Sequence, residues 1–172
     1  MRHIVLALAL LVASPAFGAE PQTLYWEDLL PEGELERLDE LYASQEVVPL
    51  FDHFSHSPMM DGGPMKQIGT FNVVEEFDGQ LVRIPGFVLP FEFSASGEIS
   101  EFLLVPYFGA CIHVPPPPPN QLVYVTADAP ADLSRQWEPI WAVGVLRTKS
   151  HMNDLGDAAY TLELQRWESY DG

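Results

Sequence analysis

The chain has 172 residues, of which 25 are acidic and 8 basic, so its formal net charge at pH 7 is −17. A surface of this charge repels nucleic acids and anionic lipid headgroups and favours cations or a basic partner, although a need for solubility explains it equally well. With 47% hydrophobic residues and a single cysteine, the chain can build one domain core but no internal disulfide.

The first 18 residues have the layout of a secretory signal peptide. Arg2 and His3 give a positive start, residues 4–12 are apolar, and Ala16 and Gly18 suit cleavage after Gly18. The apolar run is too short for a permanent anchor, which takes roughly 20 residues. No later segment is a transmembrane candidate, so we expect a soluble protein exported to the periplasm.

A short aromatic and acidic lead-in, LYWEDLLP (24–31), precedes one predicted helix over residues 32–45. Glu32 and Glu34 would lie in the first turn of this helix, where the helix dipole favours carboxylates. Apolar residues recur within the helix at spacings of three and four, which is typical of one helix face: Leu35, Leu38, Leu41 and Tyr42.

The next segment, DHFSHSPMMDGGPM (52–65), contains two prolines and two glycines and therefore predicts a loop. Imidazole and thioether side chains are concentrated in it: His53, His56, Met59, Met60 and Met65. We expect residues 19–66 to form a lead-in of helix and loop, followed by a β domain over residues 67–172.

Beyond this loop the chain is β-rich, and the pattern predicts strands at 68–75, 81–89, 99–107, 121–126, 140–148 and 160–168. Asp78-Gly79 is a hairpin-like turn between the first two strands. Pro85 and Gly86 predict an edge, a bulge or a sharp bend within the second strand. About six short strands with such bends favour a mainly β fold, a small OB-like or related barrel with the helix packed on one end.

Residues 109–121, GACIHVPPPPPNQ, form the most informative motif of the chain. Cys111 and His113 would project to the same face if the preceding strand continued that far. A thiolate and an imidazole at this spacing suit a metal site or a reactive thiol beside its base. The five prolines that follow predict a stiff polyproline segment of roughly 15 Å, which either holds such a site in place or simply connects two strands.

Other candidate ligands lie in two separate segments of the chain. His53 and His56 belong to the 52–65 loop, and His151 adjoins Met152. Thiolate, thioether and imidazole together suit Cu(I), whereas thiolate, imidazole and carboxylate suit Zn(II). These segments would have to converge in space on Cys111. Otherwise Cys111 is a buried thiol that packs as a small hydrophobe.

Enzymatic chemistry has little support in this sequence. A thiol hydrolase would need an orienting group, for which only Asn120 is a candidate, and oxyanion donors. An exported thiol–disulfide exchanger would show a CxxC pair, and the chain has one cysteine. Phosphate-binding glycine loops, HExxH helices and GxSxG elbows are all missing from the sequence. We therefore expect a protein that is not an enzyme.

Three segments of the chain resemble an uncharacterised family of exported bacterial proteins: VRIPGFVLPFEF (82–93), EFLLVPYFGACIHVPPPPPNQLVYV (101–125) and AAYTLELQRWESY (158–170). The motif residues Cys111, His113, Asn120 and Gln121 all match. The resemblance implies no established activity. Related proteins are often encoded beside ABC-transporter components, including in zinc-responsive operons, which implies a periplasmic accessory to metal or envelope transport.

The sequence therefore predicts a periplasmic accessory of zinc or copper handling or of ABC-type transport. Its metal ligands would be Cys111 and His113, with contributions from His53, His56 and His151. Its partners would be ABC-transporter components or a periplasmic binding protein, with no nucleic acid and no stable membrane anchor. The alternative is a non-catalytic envelope interaction module in which the Cys-x-His-polyproline segment is purely structural.

Overall fold

The computed structural model describes residues 20–44, 67–91, 98–110, 116–132 and 138–171. Within these ranges the chain forms one α-helix, α1 (Glu34–Ser44), which is neither long nor apolar enough to cross a membrane. Single turns of 3-10 helix occur at Trp26–Leu29, Glu75–Phe77 and Pro119–Gln121. The strands are β1 (Gln22–Thr23), β2 (Leu81–Pro90), β3 (Glu98–Val105), β4 (Val123–Asp132), β5 (Ile140–Arg147) and β6 (Tyr160–Ser169).

Five of these strands close into a barrel in the order β2-β3-β4-β6-β5, because β5 also pairs with β2. The β4–β6 pair is parallel, and the other pairs around the barrel are antiparallel. The two-residue strand β1 adds to β2 in parallel from the N-terminal lead-in. This architecture confirms the predicted small barrel with one helix.

Strand β2 exchanges partners half-way along its length, at the position of the Pro-Gly pair. Residues 81–86 pair with β5, whereas residues 87–90 pair with β3. A Cβ atom on Gly86 would lie 2.8 Å from both Leu104 Cγ and the Val105 carbonyl oxygen. The exchange brings β3 so close to β2 that only glycine fits, which is the physical reason for the bend signal in the sequence.

Alternating burial along the strands produces two apolar clusters. The barrel interior holds residues such as Ile84, Phe102 and Leu104, which face inward. The intervening residues of β3 and β4 face outward. They form a second cluster, here called the outer cluster, with residues of the following turn and of the β5–β6 connection: Leu103, Val105, Ala110, Leu122, Tyr124 and Ala158, with Phe87, Leu89, Phe91 and Leu155 half-buried beside them.

The structure bears out five of the six predicted strands, and the strand predicted at residues 68–75 is wrong. Residues 67–74 have no regular structure. Their backbone donors bind side chains instead of a neighbouring strand: the Asn72 amide donates to Thr70 Oγ1, and the Val74 amide donates to the Tyr160 hydroxyl. Local side-chain acceptors of this kind compete with a strand ladder, which the apolar pattern does not reveal.

The helix forms close to its predicted bounds, but a different face of it is buried. Leu38 is buried as expected, whereas Leu35 is 62% and Tyr42 45% exposed. The other buried residue of α1 is Glu34, at 2% exposure. Glu34 and Leu38, four residues apart, therefore mark the buried side of this helix.

Candidate functional site

Four of the five predicted metal ligands, Cys111, His113, His53 and His56, lie outside the described residues. Strand β3 ends at Val105, so the strand alternation that would pair Cys111 with His113 does not extend to them. Among the residues that the structure describes, no three His, Cys, Asp or Glu side chains are grouped so that they could hold a metal ion. A metal site built from the described part alone is therefore not present.

The fifth predicted ligand, His151, is described and is held firmly in place. Its backbone exchanges two hydrogen bonds with Ala158, at 2.8 and 2.9 Å. Its ring stacks on Tyr124 with 3.6 Å between ring centroids and 5° between ring planes. Phe91 contacts both rings, with its centroid 6.2 Å from that of His151. The imidazole is thus half-buried at the edge of the outer cluster.

The loop that follows His151 is ordered by Asn153. Its Oδ1 accepts hydrogen bonds from the amides of Leu155 and Gly156, and its Nδ2 donates to the Gly156 carbonyl at 2.6 Å. Leu155 packs against the outer cluster, while Met152 remains 63% exposed. A side-chain bonded turn of this kind gives the loop a defined shape beside the imidazole.

Gln67 connects the polyproline run with the loop that follows His151. It is the first described residue after the 52–65 loop. Its Nε2 donates to the carbonyl oxygens of Pro117, at 2.7 Å, and Asp157, at 2.9 Å. Its Oε1 accepts a hydrogen bond from the Asp157 amide at 2.8 Å. The polyproline run and the loop after His151 therefore meet at the side chain of Gln67.

The beginning of the motif also lies in the outer cluster, which supports His151. Ala110, the residue directly before Cys111, is 1% exposed and belongs to that cluster. Tyr124, on which His151 stacks, belongs to it as well. Ala110, before Cys111, therefore lies in the cluster that supports His151. Pro117, after His113, is bound by Gln67.

The polyproline run packs inside the domain. Pro117 and Pro119 are buried, and the Pro119 carbonyl accepts a hydrogen bond from the Ala159 amide at 2.7 Å. Gly69 has φ of +148°, and a Cβ atom there would lie 2.6 Å from Pro118 Cβ. Close packing against Gly69 and the hydrogen bond from Ala159 hold the run within the domain, which leaves it unsuited to act as a free ligand for another protein.

Asn120, near the end of the motif, belongs to a separate polar site, here called the Glu34 socket. The buried Glu34 carboxylate accepts hydrogen bonds from Asn120 Nδ2 at 3.0 Å, from Asn72 Nδ2 at 2.9 Å and from the Thr70 hydroxyl. Arg37 lies 3.7 Å away. Burial alone would raise the pKa of Glu34, but these donors and the guanidinium together lower it, so the carboxylate is ionised.

Sequence reasoning missed this socket. It considered Asn120 only as a candidate orienting group for a thiol enzyme, whereas the fully buried amide binds Glu34. Gln121 donates to the Trp26 carbonyl at 2.8 Å and so holds the lead-in on the barrel. The spacing of Glu34 four residues before Leu38 was the available signal, because it places the carboxylate on the buried side of the helix.

Tyr160 provides another connection between the lead-in and the barrel. Its hydroxyl donates to the Leu29 carbonyl at 2.8 Å and accepts from the Val74 amide at 2.7 Å. Burial raises the pKa of Tyr160 to about 12, so the hydroxyl remains protonated at physiological pH. The Leu29 carbonyl of the lead-in and the Val74 amide are therefore both hydrogen-bonded at the barrel wall.

Residues 26–169 match the family model described as Protein of unknown function (DUF3299). The chain belongs to the DUF3299 family. A solved DUF3299 family protein from Pseudomonas aeruginosa PAO1 is similar to it, with 29% sequence identity and a TM-score of 0.64. The similarity covers 90% of this chain and 99% of that one. The chain has no match among curated proteins.

The match spans both the Cys-x-His-polyproline motif and Glu34, so both sites lie inside the DUF3299 domain. The prediction of an uncharacterised family is confirmed. Because the family has no assigned activity, function has to be argued from the residues.

Proposed function

We propose that this DUF3299 protein is a non-enzymatic periplasmic accessory of zinc or copper handling or of ABC-type transport. Cys111 and His113 are its core metal ligands, and His151, with His53 and His56, completes the site. The observation that supports this proposal is the pair of contacts from Gln67 to Pro117 and Asp157. Through them, the polyproline run that follows His113 and the loop that follows His151 are held at one side chain, and this supports a convergence of the ligands.

The candidate ligands can form one site only if the fold brings them together, and a list of residue types does not show this. A metal site needs three or four donors within about 2.0–2.3 Å of one ion, and donors far apart in sequence must be brought together by the fold. His151 meets the further requirement of a fixed ring, since Tyr124 supports one face of it. Orientation of imidazole ligands by neighbouring groups is the usual way in which proteins tune such sites.

The donor types restrict the metal to soft or borderline cations. One thiolate with several imidazoles suits Zn(II), and the methionines of the 52–65 loop together with Met152 would favour Cu(I). The net charge of −17 raises the local concentration of either cation. The same charge favours a partner with a basic surface, and ABC-transporter components or a periplasmic binding protein are the partners that we propose.

A competition titration of reduced protein with Zn(II) and Cu(I), against a chelator of known affinity, tests the proposal. We expect Cys111→Ser and His113→Ala each to weaken binding by about tenfold or more, and His151→Ala to weaken it less. Asp128→Asn, which alters an exposed carboxylate of β4, is the matched control and should bind as the wild type does. Equal affinities in all five proteins would exclude the site.

A second candidate function is the non-catalytic envelope interaction module. It is favoured by the structural use of the end of the motif, since Asn120 is fully buried and Gln121 holds the lead-in. In that case Cys111 is a packing residue. Thiol labelling of native protein distinguishes the two functions: fast labelling that metal suppresses supports the metal site, and slow labelling that metal does not change supports the module.

A further inference from the structure

We infer that the outer face around Arg83 is a docking site for a carboxylate carried by a basic segment of a partner protein. This face, here called the Arg83 face, lies where β1, β2, β5 and the end of β6 adjoin. It consists of Thr23, Tyr25, Arg83, Trp141 and Tyr170. It shares no residue with the proposed metal site or with the Glu34 socket, and the inference does not depend on either.

The Arg83 guanidinium is fixed in orientation by two contacts. Its Nε donates to Thr23 Oγ1 at 2.6 Å, and its Cζ lies 4.5 Å from the centroid of the Trp141 ring. The backbone beneath it is also tied, because the Leu24 amide donates to the Arg83 carbonyl at 3.0 Å. With Nε occupied and one face on the indole, the two terminal nitrogens form a preorganised fork for a planar acceptor.

No carboxylate among the described residues occupies that fork. Arg83 differs in this from the other described arginines, and the acceptor that we infer for it is carried by another molecule. Every other described arginine lies beside a glutamate: Arg37 and Glu34 at 3.7 Å, Arg147 and Glu163 at 3.0 Å, and Arg166 and Glu168 at 2.9 Å.

The aromatic neighbours give the face the composition of an interface hot spot. Tyr25 and Tyr170 contact the Trp141 ring, with centroid distances of 6.1 and 5.2 Å, and they are 46% and 38% exposed. Trp141 itself is 5% exposed, so a bound group would lie on Arg83 and the tyrosines. Tryptophan, tyrosine and arginine are the residue types that carry most of the binding energy at protein interfaces.

The charge of the chain decides which carboxylate fits. A free small carboxylate gains only the contact with Arg83 and is repelled by the net charge of −17. A carboxylate flanked by lysines or arginines is attracted at long range and still reaches the guanidinium. An apolar residue beside it can pack on Tyr25 or Tyr170. The partner that we infer is therefore a basic protein segment with one acidic residue next to an apolar one.

The test uses the full chain and two synthetic peptides with blocked ends, GKFDKG and GKFNKG, with binding followed by NMR chemical shifts. We expect the aspartate peptide to bind saturably and at least about tenfold more tightly than the asparagine peptide. Arg83→Gln should abolish this preference, and Arg83→Lys should reduce it. Arg166→Gln, on β6, and Tyr42→Ala, which is 45% exposed where Tyr25 is 46% exposed, are the controls.

Three outcomes would overturn the inference: no saturable binding of the aspartate peptide, equal binding of the two peptides, or an unchanged preference in Arg83→Gln. Acetate alone binding as tightly as the aspartate peptide would likewise contradict a peptide source. If Arg83→Gln does not fold, Tyr25→Ala is compared with Tyr42→Ala instead. A tenfold loss of affinity for the aspartate peptide is expected only in Tyr25→Ala, and its absence would overturn the inference.

Discussion

The Glu34 carboxylate of helix α1 accepts a hydrogen bond from Asn120 Nδ2 at 3.0 Å, across 86 residues of sequence. This contact connects the N-terminal lead-in to the end of the Cys-x-His-polyproline motif. Around it, Thr70 and Asn72 donate to the same carboxylate. Asn120, near the end of this motif, therefore serves to attach the helix to the barrel.

Replacement of Glu34 by glutamine should destabilise the fold by about 1–3 kcal/mol, because the new amide group would face the donors of Asn72 and Asn120 without accepting from all of them. The free energy of unfolding in urea measures the loss. Glu36→Gln, at an exposed position of the same helix, is the control and should change stability by less than about 0.5 kcal/mol. An equal effect of both substitutions would contradict the role of the socket.

The stabilisation by Glu34 should depend on pH in one direction. Because the folded-state pKa of Glu34 is lowered, the folded protein binds fewer protons than the unfolded chain in acid, so stability rises with pH there. The contribution is fully present above the unfolded-state pKa of about 4.3 and is lost as pH falls through the folded-state pKa. The difference in unfolding free energy between wild type and Glu34→Gln should shrink over that window. A difference that stays constant from neutral pH into that window would contradict it.

Removal of the Tyr160 hydroxyl should also destabilise the protein. Tyr160→Phe leaves the Leu29 carbonyl and the Val74 amide without their partner, at a cost of about 1–3 kcal/mol in unfolding free energy. Tyr170→Phe is the matched control, because that ring is 38% exposed. If urea denaturation gave the same midpoint for both variants, the two hydrogen bonds would not hold the lead-in.

Gln67 should influence metal affinity although it is not a proposed ligand. Gln67→Ala removes the contacts to Pro117 and Asp157, so the polyproline run and the loop after His151 should lose their fixed relation. The protein should then bind Zn(II) or Cu(I) several-fold more weakly. Gln80→Ala, at an exposed glutamine before β2, is the control. Unchanged metal affinity in a folded Gln67→Ala protein would show that the convergence has no part in metal binding.

The barrel could be predicted from the sequence because its strands have alternating apolar and polar residues and are bounded by turn residues. In β2 the alternation of burial is complete, and the Pro85-Gly86 pair lies where the strand changes partners. The strand expected at 68–75 did not form because side chains bind its backbone donors. Thr70 does so from within the segment, whereas Tyr160 is 86 residues away in sequence from the Val74 amide that it binds.

The site was less predictable than the fold. The motif pointed to Cys111 and His113, but pattern alone could not show that Gln67 would join the polyproline run to the His151 loop, because those contacts span 50 and 90 residues. Nor could it show that a carboxylate of an acidic helix would be buried against Asn120. Long-range polar contacts of this kind have no periodicity in sequence.

X-ray absorption at the edge of the bound metal tests the central proposal most directly. In zinc-loaded wild type we expect one sulfur at about 2.3 Å together with imidazole nitrogens at about 2.0–2.1 Å, and loss of the sulfur shell in Cys111→Ser. The spectrum of His151→Ala should show fewer nitrogen ligands and retain the sulfur. A shell of oxygen and nitrogen alone, identical in wild type and Cys111→Ser, would contradict a Cys-x-His metal site.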